Sequence, residues 1–196
     1  MFNYEIKNVT NESELEKVLV FNQGMFPDMV RSTFSKDFWF PRMKKDADLI
    51  LYAQCNAEVV GVVFGYVEEN QSITVATVSS DVRYRNRGIA SSLLKELEKR
   101  VLAKGHHFIV LGSAETAEEF YIKCGYMPHL FIIGEPPLTL EQLRSLNDRH
   151  PEAWTYNDGK VIRLCLFTPQ IDKELQRKYY TTFPQCSTQT LFTKFL

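Results

Sequence analysis

The chain has 196 residues, the size of one ordinary domain with a substantial hydrophobic core. Hydrophobic residues make up 44% and charged residues 24% of it, which excludes wholesale disorder. The net charge of −1, from 23 basic and 24 acidic residues, gives no electrostatic footprint for nucleic acid or an anionic membrane.

Cysteine usage and the N-terminus indicate the compartment. Four cysteines are scattered without a Cys-x-x-Cys pair, so neither a disulfide framework nor a metal site is expected. The N-terminus is charged too early for a signal peptide, and no run of about eighteen apolar residues could span a membrane. We therefore expect a soluble, cytoplasmic protein with no metal.

The first 45 residues predict a strand and two helices. Residues 4–9 alternate as a strand, and residues 10–14 offer capping groups for a helix that breaks at residues 24–28. Residues 30–45 are rich in aromatics and predict a second short helix that ends near Pro41. Such a cluster is usually core, but it could also line a pocket for a substrate.

The next segment predicts three strands. Residues 48–55 and 58–68 form a hairpin, and residues 73–80 form a β-branched, alternating strand. Gly61 and Gly65 interrupt the second of these strands, which indicates a bulge or close packing.

A basic turn and a helix follow the strand 73–80. Three arginines lie at every second position between residues 83 and 87, and from Gly88 the apolar period becomes helical, with Gly105 as the stop. The first N–H groups of a helix have no internal partner, and the helix dipole adds positive potential there. Strand, turn and helix together predict a phosphate site.

The remaining chain alternates between strands and helices. Residues 106–111 and 127–133 predict strands, and residues 115–123 predict a helix that exits at Gly125. A broken segment with a short helix occupies 134–159, and residues 160–167 predict a closing strand. The tail adds a helical piece at 172–180 and an apolar end at 189–196, which we expect to pack on the sheet or to pair with a second subunit.

Two motifs in this order resemble the GNAT superfamily of acyl-CoA-dependent N-acetyltransferases. Residues 85–90, RNRGIA, are similar to its Gln/Arg-x-x-Gly-x-Gly/Ala signature. Residues 117–126, AEEFYIKCGY, are similar to its Ala-x-x-Phe-Tyr-x-Lys-x-Gly-Phe segment. The chain lacks the glycine patterns of a P-loop or a dinucleotide fold.

The resemblance implies an α/β (α+β) fold of GNAT type, with a mixed, strongly twisted sheet of about seven strands and helices on both faces. It implies a single domain over 1–196, with an insert around 134–159 and a C-terminal extension at 168–196. Acetyl-CoA is the implied co-substrate. The implied acceptor is a primary amine of a small molecule, peptide or protein, and a homodimer is possible.

The resemblance also implies where the co-substrate binds. Backbone groups of the turn and helix start would hold the pyrophosphate, arginine side chains the other phosphate, and the end of the strand the pantetheine arm. The implied cofactor-binding residues are Val78, Ser79, Ser80, Arg85, Asn86, Arg87, Gly88, Ile89, Ala90, Ser91 and Ser113.

Tyr121 occupies the family's common general-acid position, and a phenol with a pKa near ~10 is protonated at neutral pH. The chain departs from the family in two ways. Ala114 stands where many relatives carry Asn, beside Ser113, and the strand 73–80 has no Glu or His to act as a base. The general base stays open among five alternatives: Asp81, Glu68, Glu69, His129 or a water chain.

The sequence therefore predicts an acetyl-CoA-dependent N-acetyltransferase. The alternative is a non-catalytic CoA-binding module of the same fold with a regulatory or scaffolding role. A nucleotide-binding protein of unrelated fold would require both motifs to be coincidental.

Overall fold

A computed structural model gives the fold of residues 3–27 and 32–196. These residues form nine β-strands and six α-helices, linked in places by short 3-10 turns. The chain divides into two units: the first runs to Ile109 and includes Phe195 and Leu196, and the second is Val110–Lys194. That the whole chain is one domain stays a prediction.

The first unit contains four antiparallel strands in the order β1-β2-β3-β4. Their bounds are Glu5–Asn8 (β1), Ile50–Cys55 (β2), Glu58–Val67 (β3) and Ile73–Ser80 (β4). Its helices are Glu12–Met25 (α1), Lys36–Asp46 (α2) and Ile89–Ala103 (α3). The short strand Phe108–Ser113 (β5) crosses the boundary to the second unit.

Helices cover both faces of this four-stranded sheet. Trp39 of α2 and Leu15 of α1 pack with Phe64 of β3 in one apolar core. On the other face, a Cβ built on Gly65 would lie 3.4 Å from the side chain of Leu97 in α3. The faces are distinct because side chains of a strand alternate between them.

A β-bulge changes this alternation within β4. Phe64 pairs with Thr77 and Gly65 with Val75, so Ala76 is the extra residue. Before the bulge, Val75 shares the α3 face with Gly65, whereas Thr77 shares the α1 face with Phe64. The bulge in β4 decides which way the end of that strand presents its side chains.

A second bulge lies within β3. Gly61 pairs with Ala53 and Val59 with Gln54, so Val60 is an extra residue. The bulge or close packing expected from the glycines of β3 is confirmed.

The prediction that the second helix ends near Pro41 is wrong, because α2 continues through Pro41 to Asp46. A proline in a helix interior removes one backbone hydrogen bond. The helix persists because Ser35 caps its start and Trp39 and Met43 are buried on either side of the proline. Asp28 and Val30, which belong to the predicted break and second segment, lie outside the described residues.

The second unit contains antiparallel strands in the order β9-β6-β8-β7. Their bounds are Met127–Gly134 (β6), Glu152–Asn157 (β7), Ile162–Phe167 (β8) and Cys186–Phe195 (β9). The helices are Glu118–Lys123 (α4), Leu140–Ser145 (α5) and Lys173–Thr182 (α6). Leu143 of α5 and Tyr179 of α6 pack on Leu130 and Leu164 of the sheet.

The described residues contain nine strands where the sequence predicts about seven, and the two additional strands are β7 and β9. Residues 160–167 are not the closing strand: β8 lies between β6 and β7, and the last strand of the chain is β9. The tail expectation is confirmed in its first form, since β9 pairs with β6 along eight residues of each strand.

Candidate functional site

The segment between β4 and α3 has the backbone of an anion site. After the 3-10 turn Val82–Tyr84, Asn86 and Gly88 adopt left-handed conformations with φ of 60° and 78°. Glycine adopts this conformation without steric cost, and asparagine tolerates it better than most residues. Gly88 is the N-cap of α3, and the first hydrogen bond within the helix runs from Ser92 N to Gly88 O at 2.9 Å. The N–H groups of the first turn therefore point out of the helix end, which fits a pyrophosphate.

Two side chains of this segment make hydrogen bonds within it. Arg83 binds Asp81, with Nη2 2.7 Å from Oδ2 and Nε 3.0 Å from the same oxygen. Ser91 donates its hydroxyl to Gly88 O at 2.9 Å. Arg85 and Arg87 are exposed. Arg83 is exposed as well, with 64% of its side chain accessible, so all three arginines of the turn reach solvent.

Gly61 of β3 brings the turn against the end of β4. A Cβ built on Gly61 would lie 2.7 Å from Ile89 Cγ2 and 3.1 Å from Ser79 O. Only glycine allows the start of α3 to approach the sheet this closely. The sequence indicated close packing at Gly61 but did not identify it as a site residue.

The structure brings residues 78–80 and 85–91 together in the first unit. Ser79 faces α1 and its hydroxyl lies 3.3 Å from Asn22 Oδ1, which also accepts from Thr77 Oγ1 at 3.1 Å. Val78 and Ser80, on the opposite side of the strand, are half-buried. Asn22 is fully buried, and the sequence carried no signal that singled it out.

Ser113 and Tyr121 lie in the second unit. Ser113, at the end of β5, donates its hydroxyl to Ala114 O at 2.8 Å. The Ser113 hydroxyl is therefore already hydrogen-bonded. Its partner, Ala114, stands where many relatives carry Asn. A cofactor contact of Ser113 stays a prediction.

Tyr121 is buried among the aromatic side chains of Phe120 in α4, Tyr126 just before β6 and Phe192 in β9. Its side chain is 6% exposed, and its ring lies 5.4 Å from that of Phe192 and 6.0 Å from that of Tyr126. Burial, with a smaller contribution from Cys124, raises the pKa of Tyr121 to about 12. The phenol is thus protonated throughout the neutral range, as a general acid must be before it acts.

Three of the four candidate bases have environments that disfavour the role. The guanidinium of Arg83 holds the pKa of Asp81 below its usual value, which makes this carboxylate a weak base. Glu68 accepts a hydrogen bond from Thr74 Oγ1 at 2.8 Å, and both it and Glu69 follow the far end of β3. The eight residues of β4 put that end ~20 Å or more from Ser80.

His129 of β6 is the fourth candidate. It is 5% exposed, its Nε2 lies 2.7 Å from Thr193 Oγ1, and its Nδ1 has no hydrogen-bond partner among the described residues. Burial lowers the pKa of His129, so the imidazole is neutral at pH 7. A neutral imidazole can accept a proton, whereas an imidazolium cannot.

The described part of the chain contains neither a metal-binding cluster nor a membrane-spanning helix. Within residues 3–27 and 32–196, no cluster of three or more His, Cys, Asp or Glu side chains could hold a metal ion. None of the helices seen there has the length and hydropathy needed to span a bilayer.

Comparison with known proteins identifies the family. Residues 12–130 match the model of the acetyltransferase (GNAT) domain. An acetyltransferase of Pectobacterium atrosepticum is 40% identical over 89 residues, which are 43% of this chain and 62% of that protein. The chain thus spans less than two thirds of the length of the curated relatives that it matches.

Solved structures share the fold at low sequence identity. The polyamine N-acetyltransferase of Drosophila melanogaster is 9% identical with a TM-score of 0.62, covering 99% of this chain and all of that one. Naa50 of Arabidopsis thaliana, solved with the bisubstrate analogue CoA-Ac-MVNAL, is 17% identical with a TM-score of 0.58, covering 98% and 99%. The matched domain, the mixed α/β architecture and the strand–turn–helix segment agree, and the chain belongs to the GNAT acetyltransferase family.

Proposed function

We propose that the protein transfers an acetyl group from acetyl-CoA to a primary amine of a small molecule, a peptide or a protein. The observation that carries this proposal is the strand–turn–helix segment, in which Gly88 adopts a left-handed conformation at the N-cap of α3. Residues 85–90 of that segment also carry the family's motif.

In this proposal the first unit holds the co-substrate, which supplies an activated thioester. The N–H groups from Gly88 to Ser91 would bind the pyrophosphate, and the exposed side chains of Arg85 and Arg87 would bind the remaining phosphate. Main-chain groups of Val78, Ser79 and Ser80 would pair with the pantetheine arm as an added strand. The backbone N–H groups that lie near the thioester would also polarise its carbonyl.

Tyr121 is the proposed general acid. Its phenol would donate the hydroxyl proton to the sulfur as the thiolate of CoA departs. The high pKa of Tyr121 supports the protonated starting state. His129 remains as a candidate to take up the amine proton because its imidazole is neutral at pH 7, although the burial that lowers its pKa also makes it a weaker base.

The acceptor stays open between two classes. One structural neighbour was solved with an analogue that joins CoA to a peptide, and another catalyses the formation of N-acetylagmatine. Both have identities below 20%, so they establish the fold and leave the acceptor to experiment. Homodimer formation and a cytoplasmic location likewise belong to the proposal.

A non-catalytic CoA-binding module is the second candidate function. The observation in its favour is the double departure at Ala114 and in β4, which carries neither Glu nor His. The retained Tyr121 and its protonated state favour the enzyme.

Release of free thiol from acetyl-CoA separates the two candidates. The purified protein should be assayed with a library of small amines and with free N-terminal peptides, with amine-free protein and heat-denatured protein as controls. Amine-dependent thiol release supports the enzyme. Saturable binding of acetyl-CoA without turnover on any amine would favour the regulatory module, and absence of binding would contradict both.

A further inference from the structure

The helix that carries Tyr121 is too short to hold its own position. α4 has six residues, its N-cap Ala117 makes no side-chain capping bond, and helices this short are not stable in isolation. Its geometry must therefore be imposed by contacts with the remainder of the second unit.

Strand β9 contacts α4 at its start, middle and end through three alternating residues. Thr190 Oγ1 donates to Glu118 Oε1 at 2.5 Å, the ring of Phe192 lies 5.4 Å from that of Tyr121, and Lys194 Nζ donates to Cys124 O at 2.9 Å. Alternate residues of a strand share one face, whereas residues three apart on a helix share one side. Every second residue of β9 therefore meets every third residue along α4, and one face of the strand packs along one side of the helix.

The contact at the helix start involves a buried charge. Glu118 is 5% exposed, and its Oε1 also accepts from Lys173 Nζ at 2.8 Å. Lys173 reaches Glu115 Oε1 and Gln176 Oε1 as well, each at 3.1 Å. A buried carboxylate strongly resists leaving its partners, so this cluster fixes the start of α4 more firmly than an exposed ion pair would.

The ammonium group of Lys173 remains charged at neutral pH. Burial by itself lowers the pKa of Lys173, but hydrogen bonds to Glu118 and Glu115 hold that pKa above its usual value.

Glu118 and Tyr121 lie on the same side of α4. They are three residues apart, which is less than one helical turn, and both side chains face β9. A displacement of Glu118 would therefore be transmitted to the phenol.

We propose that β9 is a positioning element for Tyr121, with Thr190, Glu118 and Lys173 as its positioning residues. The inference rests on the proposed function, in which Tyr121 is the acid. None of the three residues needs to touch the substrate: they hold the helix at the place and rotation from which the phenol acts.

The decisive variant is Thr190→Val, which removes the hydroxyl that binds Glu118 and keeps the shape of the side chain. We expect kcat to fall about tenfold, with the KM for acetyl-CoA unchanged. Thr190→Ser restores the hydroxyl and should recover most of the rate. Thr188→Val makes the same change two residues earlier on the strand and should retain wild-type kcat.

A double-mutant cycle tells positioning from general loosening. If Thr190 acts through Tyr121, Thr190→Val should cost nothing further in kcat when placed in a Tyr121→Phe protein. An equal loss in both backgrounds would overturn the inference, as would a loss confined to KM.

Hydrogen exchange tests the same contact without any turnover. Amides 118–124 should exchange at least tenfold faster in Thr190→Val than in the wild type or Thr188→Val. Unchanged exchange would overturn the inference even in an active enzyme. If instead the wild type turns over no amine while exchange responds as expected, the proposed function has failed and the structural part of the inference stands.

Discussion

The two units hold their candidate site residues in different ways. In the first, residues 78–91 run consecutively from a strand through a turn into a helix, and the backbone itself makes the site. In the second, Tyr121 sits on a six-residue helix whose position depends on Lys173, Thr190 and Lys194, at least 50 positions further along the chain. A site made by consecutive residues can be read from the sequence, whereas a site held by distant ones requires the fold.

The same difference predicts how the two sites fail. A site made of backbone groups tolerates most substitutions. Its sensitive positions are glycines, where an added Cβ would clash or would be strained at a positive φ. A side-chain site fails with its functional atom, or with the packing that supports that atom.

The largest effect is expected from Tyr121→Phe, which removes one oxygen atom and little volume. Turnover should fall by about 10²–10⁴ while stability and the affinity for acetyl-CoA hold. Because the pKa of Tyr121 is about 12, loss of its proton should not limit the rate below roughly pH 11. The measurement is kcat and KM by thiol release.

Tyr126→Phe is the matched control, since it deletes the same atom from a neighbouring ring in the same cluster. If both variants kept full kcat, Tyr121 would be a core aromatic only. If Tyr121→Phe lost acetyl-CoA affinity instead, its role would be to hold the pantetheine arm.

Phe192→Ala should have the next largest effect, on stability. Phe192 is fully buried against Tyr121, and truncation of such a side chain costs ~3–5 kcal/mol. Phe195, three residues later, is 70% exposed, so Phe195→Ala should stay within roughly 1 kcal/mol of the wild type. Urea unfolding of both variants checks this, and equal losses would contradict the central packing of β9.

Gly88→Val sharpens the comparison from the side of the first unit. The branched side chain is strained at φ of 78° and stands where phosphate oxygens approach, so affinity for acetyl-CoA should fall tenfold or more, at least ~1.4 kcal/mol. Calorimetry measures the change.

Gly105→Val supplies the control for strain, because Gly105 has φ of 81° just beyond the other end of α3. It should lose comparable stability and keep its affinity. Unchanged binding by a folded Gly88→Val protein would remove the phosphate-site assignment.

The smallest effect concerns His129 and pH. Its folded-state pKa is lowered by burial, so the unfolded chain binds this proton first as the pH falls below ~6.5. Stability should therefore decline from that pH down through the folded-state pKa, by ~1.4 kcal/mol for each unit between the two values.

His129→Gln should flatten the decline between pH 7 and pH 5, measured as unfolding free energy, whereas His107→Gln at an exposed site should leave it in place. A decline that is the same in all three proteins would show that His129 is not its source.

Sequence signals were strongest where structure is local. The sequence predicts Gly88 and Gly105 at the ends of α3, the cap at the start of α1 and the irregularity in β3, and all of them are present. Each depends on residues within a few positions of one another. The same locality explains why residues 85–91 could be proposed as a phosphate site from the sequence.

Strand β7 was missed although it carried a usable signal. Trp154 and Tyr156 alternate with polar residues just before Asn157-Asp158-Gly159, which is a typical hairpin turn. The predicted insert at 134–159 contains this strand at its C-terminal end.

The place of β9 beside β6 had no local signal, because strand order is decided by which edges are free once the remaining elements have packed. The ties from Lys173 and Thr190 to Glu118 follow from that placement and were equally invisible in the sequence.

The central claim is that the start of α3 binds the phosphates of CoA, and backbone amide NMR tests it most directly. On titration of isotope-labelled protein with CoA, the amides of Gly88, Ile89 and Ala90 should show the largest shifts and saturate together. Saturable binding that leaves these three amides unmoved while others shift would contradict the claim.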